Sequence, residues 1–340
     1  MRCYHQTECI GGCLHLKYPF FSIVTTIIVC YNIHIHLSNI PTSVQKGVFT
    51  TTLENYSSIL LNQFQLLNVP QEELLHRRNA FNHAISISSQ NQISSRYYNL
   101  AHELKCLHFL SHFGDISPAL DCSHTDGCDS ILNDHYQIEF VCCSPGANTD
   151  KSGYDRFSVK NLNGFMICDY AEKEKFLFSR ITTALHAKRA FYEDHIGKNT
   201  MSANKPYLIF LGLGELSYDM LCGNWGIDLT GVLLGKGCPT ITVNGEGKVT
   251  GRGYAHNESF PKYNGAAIDC NLFCREEFRC VSGVIFTDAA LYDEYTIKNT
   301  WLFINPFATA KIRKKDFAGM VYWSANKNGD YFPRRNGKRL

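Results

Sequence analysis

The sequence predicts an α/β protein: a central mixed sheet flanked by helices, with a β-rich C-terminal extension. Three observations predict it. Helical periodicity recurs over 53–69, 72–84, 97–110 and 175–195. Apolar, β-branched or aromatic runs of strand length stand between and after these segments, notably 136–143 and YLIFLGL over 207–213. From about 216 onward, Gly-rich strand patterns replace helical ones.

Composition agrees with a folded domain. Of 340 residues, 44% are apolar, 13% aromatic and 19% charged, which is globular and sufficient for a proper core. The net charge of +2 supplies no global attraction to nucleic acid or anionic membrane. Basic residues do gather near the end, as Lys311, Arg313, Lys314 and Lys315, then Arg334, Arg335, Lys338 and Arg339. That pattern reads as a solvated tail, with phosphate contact as the alternative. The fifteen cysteines are odd in number and scattered. Cys30, Cys106, Cys142 and Cys143 lie in apolar runs, where a thiol behaves as a small buried hydrophobe. A reducing, cytoplasmic compartment is expected, with a secreted effector as the alternative. Cys3, His5, Cys9, Cys13 and His15 cluster loosely, but without zinc-finger spacing.

In chain order, residues 1–50 read as an N-terminal appendage. Its apolar stretch over 20–31 is about twelve residues long, well short of the roughly twenty a spanning helix needs. It reads as a buried strand, and no stable membrane insertion is expected. Residues 33–50, with Pro41, read as a linker. Residues 51–215 hold the helical segment and the α/β core. Two helices, a Ser/Gln/Asn-rich connection and a third helix lead to strands over 119–122 and 136–143, joined by a polar connector containing Asp126-Gly127. Ser144-Pro145-Gly146 marks a loop before the long helix and the central strand. Residues 216–340 extend the same domain, with strands over 241–243, 281–286 and 300–304 and a hairpin signal at Asn244-Gly245.

Helical projection singles out two charges. On 97–110, Leu100, Leu104, Leu107 and Leu110 form an apolar arc that contains Glu103. On 175–195, Leu177, Ile181, Ala184, Leu185, Phe191 and Tyr192 form another, with Lys188 near its centre and Arg180 at its edge. An isolated buried charge is costly, so each must be paired, reached by solvent or bound to a ligand. Between these helices stand Asp121 and Glu139. Alternation puts Gln137, Glu139 and Val141 on one face of the 136–141 strand, with Ile138 and Phe140 on the other. Two carboxylates brought together repel unless a cation lies between them, and Mg²⁺ binds through one or two carboxylates plus water.

A helix with a buried Glu, P-x-x-D on a strand, hydrophobic-E-x-hydrophobic on the next strand, and a further helix together resemble the restriction-endonuclease-like PD-(D/E)xK core. More narrowly, Asp121, IEFVCCSPG, RITTALHAKRAFY, PYLIFLGLG and INPFA resemble an uncharacterised bacterial family with that core, over roughly residues 95–325. The resemblance implies that Asp121 and Glu139 hold Mg²⁺ or Mn²⁺ and that Glu103 is a supporting acid. The lysine expected two positions after the strand glutamate is replaced by Val141. Lys188, on the following helix, then takes that role and orients the attacking water, while Arg180 contacts phosphate.

The expected function is therefore Mg²⁺-dependent phosphodiester hydrolysis on nucleic acid. The alternative is a non-catalytic interaction or regulatory module, in which Glu139 is tied to Lys188 or Arg180 as a structural ion pair. Other signals are discounted. Gly212-Leu213-Gly214 lacks the third glycine of a dinucleotide loop. His108, His112, His124 and His135 lack metal-ligand spacing, and Cys142 and Cys143 have no positioned base.

Overall fold

The computed structural model describes residues 42–89, 93–120, 127–143, 160–162, 165–167, 170–213, 229–234, 239–243, 249–254, 262–263, 266–267, 271–325 and 331–340. Asp121, the 20–31 apolar stretch, the 1–15 Cys/His cluster and the Ser144-Pro145-Gly146 and Asn244-Gly245 turns lie outside the described residues. No helix among the described residues is long and apolar enough to cross a membrane.

Three helices open the chain: α1 (Thr42–Gln65), α2 (Gln71–Ser86) and α3 (Ser95–Leu110). Helix α1 begins eleven residues before the expected 53, so 42–50 is helix and not linker. Leu53, Leu60, Leu61 and Phe64 supply its buried stripe at helical spacing. Pro70 precedes α2, and Glu72 and Glu73 in the first turn complement the helix dipole. The Ser94 hydroxyl caps α3 by accepting from the Tyr97 amide at 3.3 Å.

A nine-stranded mixed sheet follows. Its strands are β1 (Ile116–Pro118), β2 (Ser130–Leu132), β3 (Tyr136–Cys142), β4 (Tyr207–Gly212), β5 (Val281–Thr287), β6 (Thr300–Ile304), β7 (Val321–Ala325), β8 (Tyr331–Arg335) and β9 (Lys338–Arg339). They lie in the sheet in chain order. Strands β1 to β3 form an antiparallel meander, β3, β4 and β5 run parallel, β6 and β7 are parallel, and the remaining neighbours are antiparallel. Helix α4 (Tyr170–Gly197) lies between β3 and β4 in sequence, as a parallel connection requires. Every residue of β4 and β5 is buried, as expected of central parallel strands.

Both faces of the sheet are covered. On one, Ile138, Phe140, Leu208, Phe210, Ile285, Leu302 and Tyr322 pack with α1, α2 and α3. On the other, Ile209, Leu211, Val284, Phe286 and Phe303 pack with Ile181, Leu185 and Tyr192 of α4 and with a short helix, α5 (Leu229–Leu234). Separate two-stranded hairpins pair Lys160–Leu162 with Phe165–Ile167, Pro239–Val243 with Val249–Tyr254, and Lys262–Tyr263 with Ala266–Ala267.

Two expectations need correction. The first strand occupies 116–118, while Ala119 and Leu120 lie beyond it. The basic C-terminus is not a tail: β8 and β9 are hydrogen-bonded members of the sheet.

Candidate functional site

Alternation along β3 decides which side chains reach which layer. Ile138 and Phe140 face α3, whereas Glu139 and Val141 face α4. Glu139 is 1% exposed, and the Lys188 ammonium of α4 donates to its Oε2 at 2.5 Å. Its Oε1 accepts from the Asp129 amide at 3.1 Å. Asp129 stands immediately before β2, and its Oδ2 accepts from the Phe140 amide at 2.6 Å and lies 3.7 Å from Lys188 Nζ. One lysine is therefore shared by two carboxylates from adjacent strands. Glu139 is sealed, but the side chains of Asp129 (36% exposed) and Lys188 (23%) reach solvent.

The electrostatics follow from that geometry. Burial pushes the Glu139 carboxyl up to about 8; the Asp129 charge adds to the rise and Lys188 offsets only part of it. For Lys188, burial acts against the charged form, but the Asp129 and Glu139 carboxylates outweigh it and raise the ammonium above its ordinary range. Near neutral pH the buried Glu139 carboxyl therefore holds its proton, and the Asp129 carboxylate and Lys188 ammonium balance one another. Both Glu139 oxygens and Asp129 Oδ2 already have protein partners, and Asp129 is the acid whose side chain reaches solvent. No group of three or more His, Cys, Asp or Glu able to hold a metal is present among the described residues.

Glu103 does not join this cluster. It faces α2, where the Arg77 guanidinium meets it through Nη2 to Oε1 at 2.8 Å and Nη1 to Oε2 at 3.0 Å. Arg77 Nε bonds Glu73 at 2.8 Å, and both of those side chains are almost wholly buried. The Glu103 charge is nonetheless near enough to Lys188 to add slightly to its basicity. Arg180 is half-buried on α4, two turns before Lys188, and its charge partly offsets the rise in the Cys143 thiol, which burial pushes up to about 12. A thiol so raised is no nucleophile.

Asp129 is the residue that sequence reasoning missed, because Ser130-Ile131-Leu132 is too short a run to mark as a strand. The signal that finds it is Asn133-Asp134. Both residues adopt left-handed backbone, with φ of 54° and 48°, and make the hairpin turn that pairs Leu132 with Tyr136 and Ser130 with Ile138. One step further puts Asp129 opposite Glu139.

A second missed residue explains Gly212. His102 of α3 is buried, with Nε2 3.2 Å from the Phe210 carbonyl and Nδ1 2.6 Å from the Tyr295 hydroxyl. This network assigns the proton to Nε2, with Nδ1 accepting from tyrosine. Burial lowers the imidazole to about 3, so it stays neutral. A Cβ on Gly212 would lie 2.6 Å from the His102 ring. The glycine therefore permits close packing of an imidazole, not of a phosphate.

Comparison with protein-family models, curated proteins and solved structures returns no match for this chain. The site must be interpreted from its own geometry.

Proposed function

We propose that the chain is a divalent-cation-dependent phosphodiesterase acting on nucleic acid, with a restriction-endonuclease-like core formed by α3, β1 to β3, α4 and β4. The observation that carries this reading is the sharing of Lys188 by Asp129 and Glu139 on the α4 face of β2 and β3, where Asp129 and Lys188 reach solvent. The order helix, three antiparallel strands, helix, parallel strand supports it as well. Asp129 and Glu139 would hold Mg²⁺ or Mn²⁺; Asp121, expected in this role, lies outside the described residues. When bound, the cation would polarise the phosphodiester and stabilise its developing negative charge. Lys188, released from part of its load on Glu139, places an ammonium where it orients a water and offsets charge on the phosphoryl group. Arg180 supplies a planar donor for a flanking phosphate. Glu103 acts at a distance, by keeping Arg77 and helix α3 in place.

The test is incubation of the full chain with labelled DNA and RNA and Mg²⁺ or Mn²⁺, beside Asp129→Asn and Glu139→Gln. The expected outcome is cleavage by the wild type, lost in both variants. Absence of cleavage on every substrate and with both metals would remove the enzyme reading.

A second reading is favoured by one observation: both oxygens of Glu139 are already bonded and the group is sealed. On that reading the cluster is a structural ion pair in a non-catalytic interaction module. Glu139→Gln would then alter stability and leave partner binding intact.

A further inference from the structure

The C-terminal thirty residues carry a charge balance unlike that of the rest. Residues 311–340 contain nine of the chain's 33 Lys and Arg but only two of its 31 Asp and Glu. The other 310 residues are left with 24 basic against 29 acidic, a net of −5 beside +7. A near-neutral total thus conceals a segregated positive segment.

The fold concentrates that segment further. Strand β8 pairs with β7 and β9, which places Arg334 opposite Tyr322 on one side and Arg339 on the other; Arg335 lies opposite Val321 and Lys338. Directly paired residues share a face. The Lys314 ammonium, from the earlier basic run, sits 5.5 Å from the Tyr322 ring. Two runs separated by some twenty residues therefore meet on one face, as Lys314, Arg334 and Arg339, with Arg335 and Lys338 on the reverse. The hairpin is held rigid. Asn336 and Gly337 take φ of 50° and 80°, as a tight two-residue turn requires, and the Asn336 side chain accepts from the Gly319 amide at 3.1 Å.

We infer that this β7–β9 edge is a docking surface for the phosphate backbone of nucleic acid, separate from the Asp129–Glu139–Lys188 cluster. Two arguments choose that partner. Three of the five charges, Arg334, Arg335 and Arg339, are guanidinium groups, whose planar fork matches phosphate oxygens in pairs. An anionic membrane would also attract the charge, but surface insertion needs apolar residues beside it. Among the described residues of 311–340, Leu340 alone is an exposed large apolar side chain, fewer than the apolar face that surface insertion uses. The edge is remote from the cluster. Five inter-strand steps separate β3 from β8, about 24 Å at the usual spacing. Arg334 and Arg339 also lie on the α1–α3 face, and Lys188 on the α4 face. The inference deepens the proposed function and rests on it for the polymer, but not for the chemistry: the surface holds the chain whether or not it is cut.

The experiment is fluorescence anisotropy with labelled single- and double-stranded oligonucleotides, on the full chain in EDTA, across a salt series. The wild type is expected to bind at low salt, with log K falling against log[salt] at a slope of about −3 to −4, the value for some four neutralised phosphates. Arg334→Gln with Arg339→Gln is expected to weaken binding at least tenfold and flatten the slope by about 2. Lys198→Glu, on an exposed lysine of α4, controls for net charge, and unchanged thermal unfolding confirms that the double variant folds. If that variant unfolds early, Lys338→Gln with Lys314→Gln replaces it, with the same expectation. Glu139→Gln separates the two proposals: retained binding with lost cleavage supports both. Binding without cleavage in the wild type leaves the edge standing alone. Affinity indifferent to the edge substitutions, no binding at low salt, or binding to anionic vesicles in place of oligonucleotides would each overturn the inference.

Discussion

Two charge networks flank the same helix-and-sheet core, and they differ in what their cations face. In the α2–α3 network, one arginine meets two acids with a full set of donors, and Arg77 and Glu73 are sealed from solvent. At the β3–α4 network, one lysine serves two acids, and its outer members reach solvent. A guanidinium meets two carboxylates with a fixed fork of donors, whereas a single ammonium meets them as a point charge. The first arrangement is enclosed; the second has two members, Asp129 and Lys188, within reach of solvent. That contrast, more than burial alone, separates a structural charge from a candidate functional one.

The contrast can be broken most forcefully at Arg77. Arg77→Met removes the guanidinium shared by buried Glu73 and part-exposed Glu103, and the expected loss is about 3–5 kcal/mol in urea unfolding, with cation binding at Asp129 and Glu139 unchanged in whatever fraction remains folded. A loss below about 1 kcal/mol would show that the network is not sealed. Gly212→Ala comes next. It drives a methyl group into His102, on the helix that carries Glu103 and against the strand beside Glu139. The expected cost is about 1–3 kcal/mol, read as a lowered melting temperature.

Titration sharpens the comparison. The Glu139 pKa is raised in the folded state, so the protonated form favours folding. That contribution is fully present below the ordinary carboxyl range and is lost as pH rises through about 8. Wild type should therefore lose stability relative to Glu139→Gln between pH 5 and pH 8, by up to about 4 kcal/mol. A pH-independent difference would mean that Lys188 already neutralises the acid. Glu103→Gln is expected to do least, about 1 kcal/mol, because Arg77 keeps Glu73 and gains a neutral acceptor.

Much of this was legible in the sequence. The periodic segments became helices, and the apolar run over 207–213 became the fully buried central strand β4. Lys188 and Glu139 were found because each violates the polarity of its own face, and they meet. Glu103 was found by the same violation, but periodicity cannot say which neighbour answers a charge, and Arg77 lay on a helix whose packing partner was unknown. Asp129 and the β8–β9 hairpin were hidden for another reason. Both depend on strand register, which is set by short turns at Asn133-Asp134 and Asn336-Gly337, not by any apolar pattern.

Calorimetric titration of Mn²⁺ into the full chain at pH 7 tests the account most directly. One ion is expected to bind the wild type and Glu103→Gln alike, releasing protons from the Glu139 site, and to fail to bind Asp129→Asn and Glu139→Gln. Equal binding by all four proteins, or none by the wild type, would contradict it.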